Sequence, residues 1–182
     1  MVDPMQEPDA WKEKILRNRA EKDRYLSKDE KSPIPQEKRG NFKGLNYYPP
    51  DSNFSFLLAL HEHAEKDVTV VKDSKGNDRR YIRWGEFRFD VGDVEIVLQA
   101  YKSEVGEKRL FVPFKDLTSG NETYGAGRYL DMETEECFSG GKWALDFNEA
   151  FNPYCAYSHN YACPLVPPEN WLKVRIEAGE KS

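Results

Sequence analysis

The feature that most constrains the fold is a series of short runs rich in β-branched and aromatic residues, which starts at Phe54. Runs of this length and composition are typical of β-strands. Gly-Asp at 92–93 and Lys-Gly-Asn at 75–77 separate neighbouring runs and are typical of tight hairpin turns. Nine such runs, which make up a β-rich region at 54–177, predict an antiparallel barrel or sandwich. They cover residues 54–61, 68–72, 79–84, 86–91, 94–101, 109–114, 127–132, 142–147 and 172–177.

One long helix is predicted ahead of this region. Asp9 is a suitable N-cap, and apolar side chains recur at helical spacing as far as position 26. The Pro-Ile-Pro sequence at 33–35 prevents the helix from continuing. Residues 1–8 contain two prolines and no periodic pattern, so we expect them to be disordered. The prediction is an α+β, mostly β fold, a single domain at 9–182 in which the helix 9–26 packs on the barrel or sandwich.

Charge and composition limit the classes of partner. The formal charge of -5 and the pI near 5.4 argue against a general nucleic-acid binder, which would carry a basic face. No stretch approaches the roughly 18 consecutive apolar residues of a transmembrane helix. The N-terminus lacks the basic start and apolar core of a secretory signal, and three cysteines favour reduced thiols over a disulfide framework. We therefore expect a soluble, cytoplasmic protein without nucleic-acid or membrane partners.

The first dense motif is FVPFKDLTSGNETYGAGRYLDM at residues 111–132. It predicts a strand, a polar loop with three glycines and a second strand. It is not a phosphate-binding loop, because no Lys-Ser or Lys-Thr follows the glycines and no helix begins there. Arg128 can pair with a carboxylate in two ways. One is an internal pair with Glu122, Asp116 or Asp146 that fixes the loop, and the other is a pair with an anionic ligand.

The second motif, LDFNEAFNPYCAYSHNYACPLVPPENW at residues 145–171, is rich in turns and tyrosines. Asn148 and Asn152 suit turns in which the side chain bonds the nearby backbone. Tyrosines at 154, 157 and 161 alternate with two cysteines. A long aromatic loop of this kind either covers one end of a β structure or forms the wall or lid of a pocket, and the sequence leaves both alternatives open.

The two motifs, together with GLNYYPPD at residues 44–51, resemble the bacterial and archaeal family catalogued as domain of unknown function 1684. The resemblance extends from the N-terminal helix to the last residues, and its motifs are long and ordered. It implies a single-domain protein in which these strings recur, and it implies no particular activity. His159 and Cys137 lie outside the shared pattern.

The thiols have three interpretations. Cys155, His159 and Cys163 stand at four-residue steps, and Cys137 is available as a fourth zinc ligand. Structural zinc sites often use short C-x2-C pairs, which this chain lacks. A Cys155–Cys163 disulfide or redox pair is the second interpretation, although the spacing is not C-x-x-C. Packed thiols are favoured. Two histidines within 61–63 could hold a metal together with a distant carboxylate, but an exposed strand end fits them equally well, and we predict neither a metal nor a cofactor.

The favoured function is the binding of a small polar or aromatic ligand in a pocket formed by loops 116–131 and 146–163, because small barrels and sandwiches commonly bind at their mouths. The ligand-binding candidates are polar side chains of these loops: Thr118, Thr123, Arg128, Asn148, Asn152, Tyr154 and Tyr157. Whether chemistry follows is open. A carboxylate with Arg and Tyr neighbours can act as a general acid or base. The catalytic candidates are Glu122 or Asp146 as base, Arg128 to orient an anionic group, Tyr124 and Cys155.

The alternative is a non-catalytic interaction or structural module. It would use the tyrosine-rich loop 151–163 as its partner surface, because aromatic residues and arginine are favoured at the centres of interfaces.

Overall fold

A computed structural model describes residues 8–182 and shows a mostly β protein with few helices. The long helix α1 spans Pro8–Lys28, close to the predicted 9–26, and the short helix α2 spans Gln36–Arg39. Residues 1–7, predicted to be disordered, lie outside the described part of the chain, whereas Pro8 opens α1. None of the described helices is long and apolar enough to cross a membrane.

Nine strands in the described residues form two antiparallel sheets. They are β1 (Ser55–Leu58), β2 (His61–Glu62), β3 (Val68–Lys72), β4 (Asp78–Val91), β5 (Val94–Lys102), β6 (Arg109–Phe114), β7 (Arg128–Glu133), β8 (Phe138–Ser139) and β9 (Lys142–Asp146), with helix α3 (Thr134–Cys137) between β7 and β8. The larger sheet has the order β2-β4-β5-β6-β7, with β3 also paired to β4, and the smaller has the order β1-β9-β8. The antiparallel prediction is confirmed, but neither sheet closes into a barrel within residues 8–182.

The hairpin of β4 and β5 forms the centre of the larger sheet. The two strands predicted within 79–91 are one continuous strand, β4, whose register shifts between Arg83 and Gly85. A Cβ at Gly85 would lie 2.7 Å from the carbonyl oxygen of His61, so glycine is what allows β2 to approach. Gly92 in the turn has a φ of 59°, as its Gly-Asp sequence predicts.

The two sheets share one hydrophobic core. Phe56 of β1 packs against Phe89 of β4 with ring centroids 4.6 Å apart, and Phe147 contacts both rings. The chain passes from the smaller sheet to the larger between β1 and β2, so the single strand predicted at 54–61 is wrong. Each of its halves has a different neighbour, which a local pattern does not show.

The strand predicted at 172–177 is also wrong. Every second residue is buried, from Leu172 through Ile176 to Ala178, as in a strand. The segment nevertheless joins neither sheet in the described structure. It runs beside the loop after β6, where the Leu172 N–H donates to Lys115 O at 2.7 Å. The Leu117 N–H likewise donates to Val174 O at 2.9 Å, and beyond it the side chains of Asp116 and Arg128 bind the backbone of Ile176.

Helix α1 contacts the second half of the chain through polar side chains. Trp11 in the first turns of the helix donates its Nε1–H to Asp146 Oδ2 at 2.7 Å. Ile15, one turn further on, is buried, and Lys22, two turns beyond Ile15, has its Nζ 2.6 Å from Glu180 Oε2. These contacts place α1 over the turns that contain several of the predicted site residues.

Candidate functional site

Arg128, predicted to orient a ligand or to fix its loop, has 0% of its surface exposed. Its guanidinium donates to carbonyl oxygens of the C-terminal segment: those of Ile176 at 2.9 Å, Glu180 at 3.2 Å and Ala178. Asp116 Oδ1 lies 3.4 Å from Nη2. Burial lowers the pKa of the guanidinium, and the Asp116 carboxylate opposes this shift. These contacts match the structural alternative, since they hold the C-terminal segment and leave no exposed face of Arg128 for a ligand.

Asp116 organises the loop that precedes Arg128. Its carboxylate accepts from the Thr118 hydroxyl at 2.8 Å and from the Ile176 N–H at 2.8 Å. The hydroxyls of Thr118 and Thr123 are 2.9 Å apart, and both side chains are buried. The two threonines, predicted to bind a ligand, therefore have internal partners and do not reach solvent.

Glu122 lies at the surface of the same loop. Its carboxylate accepts from the Tyr48 hydroxyl at 2.7 Å and pairs with Arg175. The hydrogen bond from Arg175, helped by that from Tyr48, lowers the pKa of Glu122. A carboxylate with a lowered pKa is ionised at neutral pH and is a poor proton acceptor, so these contacts give no support to its role as a general base.

Asp146 and Asn148 form a turn beneath α1. Asp146 Oδ1 accepts from the N–H and Nδ2 of Asn148, at 2.9 Å and 2.8 Å. The Asn148 amide also bonds both backbone groups of Asp51, at 2.9 Å and 2.8 Å. Among residues 8–182, Asp146 shares no hydrogen bond with Glu122 or Arg128, so the structure does not bring the three predicted charged groups together.

Tyr124, Cys155 and Cys163 meet beside the loop. The Tyr124 hydroxyl lies 3.7 Å from Cys155 Sγ, and the Cys155 N–H donates to Cys163 Sγ at 3.3 Å. Burial raises the pKa of Tyr124 to about 12 and that of the Cys163 thiol to about 11. The thiols are free and half-buried, and within the described residues no three His, Cys, Asp or Glu side chains are placed to hold a metal ion.

Tyr154 is the exposed tyrosine of the tyrosine-rich loop, and the half-buried Tyr161 packs against it. Tyr154 is 37% exposed, and its ring meets that of Tyr161 edge-on with centroids 5.2 Å apart. Burial of its inner part raises the pKa of Tyr154 to about 12, assisted by a hydrogen bond with Tyr25.

Glu180, which the sequence analysis missed, is fully buried, with 0% exposed. Its carboxylate accepts from Lys22 Nζ at 2.6 Å, from the Asn152 N–H at 3.2 Å and from the Tyr157 hydroxyl. A signal was present in the sequence. The alternation that buries positions 172, 174, 176 and 178 places position 180 on the same inward face. Two predicted ligand-binding residues, Asn152 and Tyr157, thus meet at a carboxylate that was not predicted.

Several polar atoms around Glu180 are buried without a partner. Asn152 is 4% exposed and donates to Lys181 O at 3.0 Å, but its Oδ1 has no partner within residues 8–182. Tyr47 Oη and Arg19 Nε are also buried without a hydrogen-bond partner in the described residues. The Arg19 guanidinium lies 4.4 Å from the centroid of the Tyr47 ring. Burial raises the pKa of Tyr47 and lowers that of Arg19. Buried polar atoms are ordinarily hydrogen-bonded, so these three atoms are exceptions among residues 8–182.

A groove of about 360 Å³ lies beside this cluster. It is lined by residues of the segment after α1 and by one tyrosine: Ile34, Lys38, Asn41, Phe42 and Tyr157. Tyr157 connects the two features, because its ring lines the groove and its hydroxyl donates to Glu180. Of the two predicted loops, 146–163 contributes to the lining of this groove and 116–131 does not.

Comparison with known proteins identifies the family but no activity. No curated protein matches the chain. The solution NMR structure of an uncharacterised protein from Haloarcula marismortui is similar, with 36% sequence identity and a TM-score of 0.73 over 96% of this chain and 95% of that chain. The family resemblance noted in the sequence is confirmed, since the family's sequence profile matches residues 40–181. The chain belongs to the family described as protein of unknown function (DUF1684).

Proposed function

We propose that the protein binds a small ligand with an aromatic or apolar body and an anionic group in the groove beside Tyr157. The observation that carries the proposal is the link from the groove through Tyr157 to the fully buried Glu180. A groove with apolar lining beside a few placed polar groups has the general composition of a small-molecule site.

The groove lining determines the class of ligand. Phe42 is half-buried and offers apolar surface on which a ring can pack, with the buried Ile34 beneath the groove, and the Asn41 amide can donate or accept. Lys38 is exposed and forms no ion pair within residues 8–182, so its ammonium is available to an anion. A planar carboxylate with a ring matches this combination of charge and apolar surface.

The groove is preorganised by hydrogen bonds behind its lining. Arg39 at the end of α2 donates to Ile34 O at 2.8 Å and to Asp29 O at 2.6 Å, which fixes the segment that contains Lys38. On the other side, Glu180 holds the Tyr157 ring through its hydroxyl. A lining that is already ordered loses little conformational entropy when a ligand binds, which favours affinity.

The test is a titration of the isotope-labelled protein with benzoate, followed by backbone amide shifts. We expect saturable shifts at residues 34–42 and around Tyr157, with a Kd on the order of 1 mM for so small a ligand. Lys38→Ala should weaken binding by up to about five-fold, the effect of one exposed charge pair. Lys142→Ala, which removes an exposed lysine from β9, is the matched control and should bind as the wild type does. Shifts centred elsewhere, or no saturable shift, would refute the proposal.

A second candidate function is supported by Tyr154, which is exposed, and by the half-buried Tyr161 against which its ring packs. A partly exposed aromatic pair on a turn suits a partner surface, and Tyr is enriched at interface hot spots. A partner captured by the wild type but lost with Tyr154→Ser would support this function, whereas equal capture by both would refute it. The catalytic roles of Glu122, Tyr124, Asp146 and Cys155 stay predictions.

A further inference from the structure

We propose that Cys155 and Cys163 are a thiol pair that is reversibly oxidised to an intramolecular disulfide. The inference rests on the placement of the two side chains and not on ligand binding, so it can stand or fall separately from the proposed function. It assigns a covalent modification site to the tyrosine-rich loop.

The two cysteines are held against each other from separate frameworks. Cys163 is tied to the turn after β3, because its N–H donates to Ser74 Oγ at 3.2 Å and its carbonyl accepts from the Ser74 N–H at 2.9 Å. Cys155 is the central residue of a 3₁₀ turn at Tyr154–Ala156, and its N–H donates to Cys163 Sγ at 3.3 Å. The sulfur of one cysteine therefore touches the backbone of the other, and rotation of the side chains is the movement by which an S–S bond of about 2 Å would form.

Each sulfur has a hydrogen-bond donor beside it, which stabilises negative charge on the sulfur once a thiolate has formed. The Tyr124 hydroxyl, 3.7 Å from Cys155 Sγ, can donate to it, since burial keeps that hydroxyl protonated. Cys163 Sγ already accepts the N–H of Cys155. Burial nevertheless raises the pKa of the Cys163 thiol to about 11, so less of it is thiolate at neutral pH. Its attack is slower for this reason, because the thiolate is the nucleophile. It affects the rate of oxidation and not the geometry of the product.

The oxidant class is a small disulfide such as glutathione disulfide. The thiolate of one cysteine attacks a glutathione sulfur, an S–S bond forms, and one glutathione leaves and takes up the proton that the cysteine released. The thiolate of the other cysteine then attacks the protein sulfur of this mixed disulfide, and the second glutathione leaves with the second proton. Two protein thiols are oxidised and one glutathione disulfide is reduced to two glutathione molecules.

The product would restrain the turn that contains Tyr157. The bond between Cys155 and Cys163 closes a short loop of chain around this residue, whose hydroxyl donates to Glu180. A closed loop opens less often, so amide hydrogen exchange within 156–162 should slow in the oxidised form.

The chain provides its own control in Cys137, which packs against the main hydrophobic core and forms no hydrogen bond with the other two thiols in the described residues. The full-length protein is equilibrated with glutathione buffers of rising oxidised fraction, acid-quenched, unfolded, labelled with N-ethylmaleimide and weighed. The reduced protein should take three labels, and the oxidised protein should take one, at Cys137. Dithiothreitol should restore all of them.

Two variants make the outcome specific. Cys137→Ser should still lose both remaining labels on oxidation, and Cys155→Ser should form no internal disulfide. Retention of all three labels in the most oxidising buffer, a glutathione adduct that does not resolve, or a disulfide between two chains would each overturn the proposal. These measurements involve no groove ligand, so their failure leaves the benzoate titration unaffected.

Discussion

Replacement of Arg128 should destabilise the protein more than replacement of an exposed arginine of the same sheet. Arg128→Met keeps most of the side-chain volume but removes the donors that bind three carbonyl oxygens and Asp116. The Asp116 carboxylate then stays buried without its cation, and loss of one partner of a buried pair costs about 3–5 kcal/mol. The carbonyls lose donors as well, at about 1 kcal/mol each. Allowing for overlap, we expect a loss of about 5 kcal/mol.

A loss of this size can exceed the whole stability of a domain, which is about 5–15 kcal/mol. Arg128→Lys is therefore the second variant. It keeps the charge but loses the planar fork, so it should retain the fold with a loss of about 2–3 kcal/mol. Arg88→Met is the matched control on β4, because Arg88 is exposed and pairs with Glu86 at 2.6 Å. Removal of that surface pair should cost at most about 1 kcal/mol.

The assay is urea unfolding followed by the fluorescence of the four tryptophans. The free energy of unfolding should decrease in the order wild type, Arg88→Met, Arg128→Lys, Arg128→Met. Equal, small losses for Arg88→Met and Arg128→Met would refute the structural role. If Arg128→Met also lost benzoate binding at unchanged stability, Arg128 would be a ligand-orienting residue instead.

Three further predictions concern single positions. Gly127→Ala should cost at least about 2 kcal/mol in the same assay, because φ is +101° and a Cβ would lie 2.5 Å from the nearest side-chain carbon. Tyr157→Phe should cost about 2 kcal/mol, since it removes a hydrogen bond to the buried Glu180 carboxylate, whereas Tyr161→Phe should be close to neutral. Burial raises the pKa of Asp73, but hydrogen bonds from the following turn and an arginine outweigh it and hold the pKa at about 2. The Asp73 carboxylate should therefore contribute fully to stability above its ordinary pKa of 3.8, and this contribution should be lost as the pH falls towards 2. An NMR titration of the carboxylate carbons measures the midpoint directly. A midpoint near 3.8 for Asp73 would contradict the prediction.

The parts of the fold that the sequence predicts well are those determined by local pattern. The helix predicted at 9–26 is found at Pro8–Lys28, and the strand predicted at 94–101 is found at Val94–Lys102. Helical spacing, β-branched composition and a Gly-Asp turn are properties of neighbouring residues. They require no knowledge of what lies across the core.

The errors arise where a distant partner decides the structure. The run at 172–177 has the alternation of a strand, but the side chains of Asp116 and Arg128, and not a neighbouring strand, hydrogen-bond the backbone at Ile176. The pattern reports burial correctly and hydrogen bonding incorrectly. For the same reason the sequence indicated only one residue of the candidate site, Tyr157, and not its neighbours. Tyr157 was expected to face a ligand, but the segment 34–42 and Glu180 meet it through tertiary contacts that no spacing reveals.

The C-terminal segment connects the two regions on which the functional hypotheses depended. Arg128 donates to the carbonyl oxygen of Glu180, while the side chain of Glu180 accepts from Tyr157 at the groove. The polar loop 116–131 therefore acts on the groove without lining it, because it fixes the backbone from which the buried carboxylate projects. This support role explains two features of the loop together. The loop is rich in polar residues, and the Arg128 guanidinium is buried instead of facing solvent. The loop supports the C-terminal segment, whereas the groove in which we propose that a ligand binds is lined by other residues, among them Tyr157 and Lys38.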